Sequence, residues 1–219
     1  MIKFYVEVWG EYALFSRPEM KVERVSYDVM TPSAARGILE AIYWHPPIKY
    51  EIERIFVLNE IKFTNIRRNE VSQKISAPNV RNFIKSKKGE IYIATSEVRT
   101  QRSAMVLKDV HYIIEARVSL TDAAGDNDNP LKLFNILERR LVKGQCFHTP
   151  YLGTREFPAK FKLCENIQSV KTAYPNEVRD LGFMLYDMDY SDKENIRPIF
   201  FRAIMENGIV NVKSPEVFK

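Results

Sequence analysis

Thr31-Pro32-Ser33-Ala34-Ala35-Arg36-Gly37-Ile38-Leu39-Glu40-Ala41-Ile42-Tyr43-Trp44-His45-Pro46-Pro47 decides how the first half of this chain is read. Thr31 is a good N-cap and Pro32 suits the first helical position, where its missing N–H costs nothing. Ala35, Ile38, Leu39 and Ile42 recur at the spacing of one buried helical stripe, and Arg36, Glu40 and Tyr43 share the opposite face. The pattern predicts a helix to about Trp44, stopped by Pro46-Pro47, with the Tyr43 phenol on the exposed side.

Upstream, residues 2–9 alternate as a strand does, with Ile2, Phe4, Val6 and Val8 on one face and Lys3, Tyr5, Glu7 and Trp9 on the other. Downstream, residues 48–66 are rich in β-branched and aromatic side chains and read as one or two strands. The basic stretch from Asn69 to Lys88 reads as a mobile arm, a loop with a short helix. Ile91-Tyr92-Ile93-Ala94 and Val110 to Val118 read as a two-stranded hairpin. The acidic turn region 121–129 leads to Pro130, which opens a helix carrying Leu131, Phe134, Ile136, Leu137 and Leu141 and ending near Lys143-Gly144. Phe157 to Leu163 supplies another strand.

The order is β-α-β-β-α-β. It predicts an α+β fold, a ferredoxin-like (RRM-type) domain with embellishments over 1–169. Two later apolar runs and the tight-turn dipeptide Asn207-Gly208 predict a small C-terminal antiparallel β-sheet domain over 170–219.

The 219 residues are 45% hydrophobic, enough for one substantial core or two smaller ones. Thirty-three lysines and arginines against 28 acids give a formal charge of +5, which favours a polyanionic partner without naming it. Cys146 and Cys164 lack zinc-site spacing and suggest neither a metal site nor a disulfide framework, so a reducing cytoplasm fits. No apolar run approaches a membrane span or a signal-peptide core, and a soluble protein is expected.

Two segments resemble the signatures of the type I-C (Dvulg subtype) CRISPR-associated processing family, within the repeat-associated (RAMP) superfamily of ferredoxin-like proteins. They are Val25 to Trp44 and Gly144-Gln145-Cys146-Phe147-His148-Thr149-Pro150-Tyr151-Leu152-Gly153-Thr154-Arg155-Glu156-Phe157-Pro158-Ala159. Both are long and lie in the expected order. The resemblance implies metal-independent cleavage of CRISPR repeat RNA at the base of its hairpin, with no cofactor. It also implies retention of the 5′ handle beside the other subunits of a type I-C interference complex.

RNA can be cut without metal because its 2′-hydroxyl attacks the adjacent phosphorus. The protein then supplies a base, a proton for the leaving oxygen, and donors beside the phosphate. The resemblance implies an active-site tyrosine at the end of the first helix, Tyr43. It also implies a lysine followed directly by a histidine near Lys108, where this chain departs: Asp109 follows Lys108, and the nearest histidine is His111. His45 lies beside Tyr43, where the end of a helix favours the protonated imidazole. Arg36, Arg99, Arg102 and Arg155 are candidate RNA contacts because guanidinium groups grip phosphate bidentately and stack on bases. His148 joins them from the second signature segment, although backbone groups can satisfy it equally well. The alternative for Arg36 is an exposed pair with Glu40, four residues on.

Two other functions fit the sequence less fully. One is a non-catalytic subunit that binds the handle, favoured by the missing Lys-His adjacency. The other is a general RRM-like module, whose short aromatic-rich strings are not evident. Asp126 with Asp128, and Asp187 with Asp189, sit in turn-like or strand-edge settings and read as structural rather than as a metal site.

Overall fold

A computed structural model describes residues 2–20, 22–192 and 194–218. The elements follow in the order β1 (Ile2–Ala13), β2 (Arg24–Val25), α1 (Pro32–Ile42), β3 (Ile48–Val57), β4 (Lys62–Val71), α2 (Ala77–Ser86), β5 (Arg99–Leu120), α3 (Pro130–Lys143), β6 (Lys160–Leu163), β7 (Val178–Asp189), β8 (Arg197–Glu206), β9 (Ile209–Asn211) and β10 (Val217–Phe218), with a 3₁₀ turn at Ile167–Ser169.

β5 organises the sheet. Along one edge it pairs antiparallel with β3 and then β4, and along the other with β1, then in parallel with β2. β6 adds to β1, giving the local order β3-β5-β1-β6. The expected alternation in β1 is present: Phe4, Val6 and Val8 are buried beneath the helices, while Tyr5, Glu7 and Trp9 face the other way. Ile38, Leu39 and Ile42 of α1, and Leu133, Leu137 and Leu141 of α3, complete that core. Each such aliphatic side chain contributes about 1.5–3 kcal/mol on burial. Both helices start where read: the expected cap Thr31 Oγ1 accepts from Ala34 N–H at 3.2 Å ahead of Pro32, and ahead of Pro130 the structure adds a cap that sequence reasoning missed, Asn129 Oδ1 accepting from Lys132 N–H at 2.8 Å.

The C-terminal strands curl round α1. β7 pairs with β8, β8 with β9 and β10, and β9 with β3, so the sheet runs continuously through β9. Arg36 of α1 ties this layer down, donating to Glu40 at 2.8 Å and to Asp187 of β7 at 2.7 Å. Asn207 and Gly208 form the expected turn between β8 and β9, both with positive φ, 52° and 74°.

Three expectations need correction. The first helix ends at Ile42 rather than Trp44, because Tyr43 turns extended at φ −150°, ψ 119°. Residues 91–94 form no strand. The hairpin partner of β5 is instead β4, in a register from Lys62↔Lys108 to Val71↔Arg99, and α2, with no buried residue, lies in the connection between them. β5 therefore begins at Arg99, in a stretch polar enough to read as a connection.

Residues 150–159 are moulded against the end of β1. Leu14 N–H donates to Leu152 O at 3.0 Å, and Gly153 sits at φ +86° with the position of a Cβ only 2.0 Å from Leu14 O. Gly153→Ala is expected to lower the unfolding free energy by about 2 kcal/mol or more through backbone strain and overlap. Gly37→Ala, in α1 with open space around it, should raise it by up to about 1 kcal/mol. Urea unfolding of both variants, read as the change in midpoint at constant slope, checks the pair.

Candidate active site

The two segments that carried the resemblance meet at the C-terminal end of α1. A helix leaves its last carbonyls without intrahelical donors, and here the second segment supplies them. Phe147 N–H donates to Ala41 O at 3.0 Å and Ile42 O at 3.3 Å, His148 N–H to Ala41 O at 3.0 Å, and Arg140 Nη1 to Ile42 O at 2.6 Å. Gly144, at φ +64°, ends α3 and turns the chain toward α1. The Tyr50 hydroxyl secures the other side, donating to Tyr43 O at 2.7 Å.

The result is a small platform. The Arg140 guanidinium lies 5.1 Å over the Tyr43 ring. Phe147, 71% exposed, stands edge-on to His148 at 4.4 Å between ring centroids, and Trp44 and His45 are exposed beside them. The Tyr43 phenol was expected on an open helix face. It is only 7% exposed, because the chain leaves helical geometry one turn position early and swings the ring beneath Arg140. Burial pushes its pKa up and the Asp128 charge adds to that, while Arg140 opposes them; the net shift is upward. The upward shift keeps this phenol protonated at neutral pH, with its O–H able to donate a hydrogen bond.

Lys108 and His111 lie elsewhere. Tyr50, which touches Tyr43, pairs with Val118 of β5, whereas Lys108 pairs with Tyr12. That interval along one strand corresponds to roughly 30 Å, and His111 stands roughly 20 Å along it. Lys108 is exposed, 4.0 Å from Asp109, whose backbone adopts φ +53°. His111 Nε2 lies 2.8 Å from Glu7 Oε1, and Lys162 Nζ is 3.0 Å from the other oxygen. Trp9 flanks the group, 6.0 Å from the imidazole and 5.6 Å from Lys162. Burial raises the Glu7 pKa, but hydrogen bonds from Lys162 and His111, with their charges, outweigh it and leave it lowered.

Arg99, Arg102 and Arg155 make no side-chain hydrogen bond or ion pair with a described residue, Arg99 and Arg102 on the β4–β5 hairpin and Arg155 on the second segment. Arg36 is committed to Glu40 and Asp187, and the Arg36–Glu40 alternative is realised. Sequence reasoning missed Arg140, whose one signal was a basic last turn of α3, and Glu156. The Glu156 carboxylate meets both Arg68 of β4 and Arg24 of β2, tying the second segment to the outer part of the hairpin. The paired acids hold local structure: Asp128 caps Gly125 N–H, Asp187 holds Arg36, and Asp189 accepts from Ser191 N–H. Among the described residues no cluster of three His, Cys, Asp or Glu is arranged to hold a metal, and no helix is long and apolar enough to cross a membrane.

Residues 4–213 match the family model described as CRISPR-associated protein (Cas_Cas5), Cas5d type. The chain is 47% identical to the CRISPR pre-crRNA endoribonuclease Cas5d of Mannheimia succiniciproducens over 94% of its own length and 93% of that protein. It is 48% identical to the CRISPR pre-crRNA endoribonuclease Cas5d of Thermus thermophilus over 87% and 75% respectively. Among solved structures, one titled as a CRISPR-associated protein superposes with a TM-score of 0.71 at 25% identity, covering 100% of this chain and 97% of that one. A chain of a CRISPR RNA-guided surveillance complex shares the fold at a TM-score of 0.53 and 13% identity, covering 99% and 89%.

The Glu7 cluster generates a pH prediction. A carboxyl whose folded pKa lies below its unfolded value, about 4.3 for glutamate, contributes stability above that pH and loses it as the pH falls through the folded pKa. The wild-type unfolding free energy should therefore decline below about pH 4.3 more steeply than that of Glu7→Gln. Urea unfolding of both proteins from pH 7 to 3 gives converging curves if the cluster is coupled, and parallel curves if it is not.

Proposed function

The chain belongs to the Cas5d family of CRISPR-associated proteins, and on that premise we propose that it is an endoribonuclease cutting CRISPR precursor RNA at the base of the repeat hairpin. In this reading the reaction needs no metal. The 2′-oxygen bonds to phosphorus as the P–O5′ bond breaks, leaving a cyclic phosphate and a 5′-hydroxyl. The observation that carries the site is the set of backbone hydrogen bonds joining Phe147 and His148 to Ala41 and Ile42, which brings both signature segments to Tyr43. Tyr43, protonated, orients the attacking hydroxyl or donates to a phosphate oxygen. His45 and His148 exchange the protons: one imidazole takes the 2′-proton, and a protonated one supplies the 5′-oxygen. Phe147 and Trp44 are exposed rings on which an unpaired base can stack.

The order β3-β5-β1-β6, with α1 and α3 against one face, supports a ferredoxin-like, RRM-type assignment for 1–169, with 170–219 as a small β-sheet domain. Arg155, Arg99 and Arg102, free of acidic partners among the described residues, are the proposed RNA contacts from the second segment to the hairpin. Arg36 reaches RNA only by exchanging a carboxylate. After cleavage the protein keeps the 5′ handle and sits with other subunits of a type I-C interference complex in the cytoplasm.

Lys108 and His111 define a second proposed centre, favoured by the Glu7–His111 contact, which fixes the imidazole as a carboxylate does in an acid–base pair. The two placements are separable. Purified protein is incubated with a cognate-type repeat hairpin in excess chelator, and the product ends are analysed. Cyclic-phosphate product is expected, with Tyr43→Phe slowed about 10²-fold or more and Lys108→Ala and His111→Ala changed far less. The reverse pattern moves the chemistry to the second centre. Tight binding without cleavage leaves a handle-binding subunit.

A further inference from the structure

We infer that Arg140 is a catalytic residue of this reaction, the cation that meets the scissile phosphate at the end of α1. The inference rests on the placement of the site at Tyr43. Most half-buried arginines elsewhere in the molecule hold carboxylates, among them Arg17 with Asp28, Arg36 with Asp187, Arg68 with Glu156, Arg117 with Glu53, and Arg179 with Glu177, whereas Arg102 on the β4–β5 hairpin is half-buried and holds none among the described residues. Arg140, half-buried as well, holds none among the described residues. Among the described residues the guanidinium's one hydrogen bond is the Nη1 donation to Ile42 O, and its one ring contact is Tyr43.

A guanidinium carries five N–H donors in a rigid fork. One contact fixes its position, and the remaining donors have no acceptor among the described residues. A partly desolvated cation without a counter-charge is costly to maintain, and an incoming anion offsets that cost. The cation stands over the face of the proposed catalytic phenol, beside His148 and Phe147. A phosphodiester whose 2′-hydroxyl lies against Tyr43 comes within reach of the free fork, where its donors neutralise charge gathering on the non-bridging oxygens. Part of Arg140 is also structural, because it answers a terminal carbonyl of α1, and the test separates the two roles.

Arg140→Ala, Arg140→Lys and Tyr43→Phe are assayed for single-turnover cleavage, for affinity to the same RNA with 2′-deoxy substitution at the cut site, and for thermal midpoint. Arg140→Ala is expected to cleave about 10²-fold more slowly while binding the uncleavable RNA within about threefold of wild type, as expected for loss of a transition-state contact. Added guanidinium ion should restore at least about tenfold of the Arg140→Ala rate, a contact energy of about 1.4 kcal/mol, and leave Tyr43→Phe unchanged. Arg140→Lys should remain slow, since an ammonium cannot reproduce the fork. A wild-type rate in Arg140→Ala with Tyr43→Phe impaired overturns the inference and spares the site. A loss that guanidinium does not restore, with lowered affinity or midpoint, overturns it in favour of a structural role. A wild-type rate in Tyr43→Phe removes the site itself.

Discussion

β5 satisfies its backbone on both edges at once, and the rest of the molecule depends on that. Buried N–H and C=O groups must be paired, and a strand of this length can pair them only by recruiting several shorter partners in series. β3 and β4 share one edge and β1 and β2 the other. The inner half of β5 supplies Tyr112, Ile114, Ala116 and Val118 to the core beneath α1 and α3, while the outer half carries the basic hairpin beyond it. One continuous element thus sets the position of the loop beside Tyr43 at one end and of Lys108 and the hairpin arginines toward the other.

The second segment links these regions by a different route. It begins bonded to the end of α1, is moulded against Leu14 at Gly153, and finishes at Glu156 between Arg24 and Arg68. Its exposed groups, Phe147, His148, Tyr151 and Arg155, are therefore held by buried or paired neighbours. That arrangement orders a loop before a ligand arrives, which lowers the entropy lost on binding.

How much of this could be read in advance differed from element to element. Thr31-Pro32 and Pro130 announced helix starts because capping and the missing proline N–H act locally, and the alternation in β1 announced its buried face. The outer half of β5 was missed because Arg99, Gln101, Arg102 and Ser103 are polar and none of residues 99–105 is fully buried, so no apolar period marks the strand. Ile91 to Ala94 had the composition of a strand and found no partner. Tyr43 was located correctly at the end of the helix but assigned the wrong environment, since extending the helical period by one residue put the ring in solvent. Its contacts with Arg140, and the approach of His148, join positions about a hundred residues apart, a pairing that no local pattern encodes. The separation of Tyr43 from Lys108 is of the same kind, being a property of strand register.

The bonds that close the end of α1 also alter its field. The aligned peptide dipoles of a helix leave a partial negative charge at the C-terminus, concentrated on its unbonded carbonyls. Left bare, that pole would repel a phosphate brought to Tyr43. Here two backbone N–H groups and a guanidinium terminate Ala41 and Ile42. The macrodipole therefore ends on donors and a full positive charge, and the tip of the helix becomes hospitable to a polyanion.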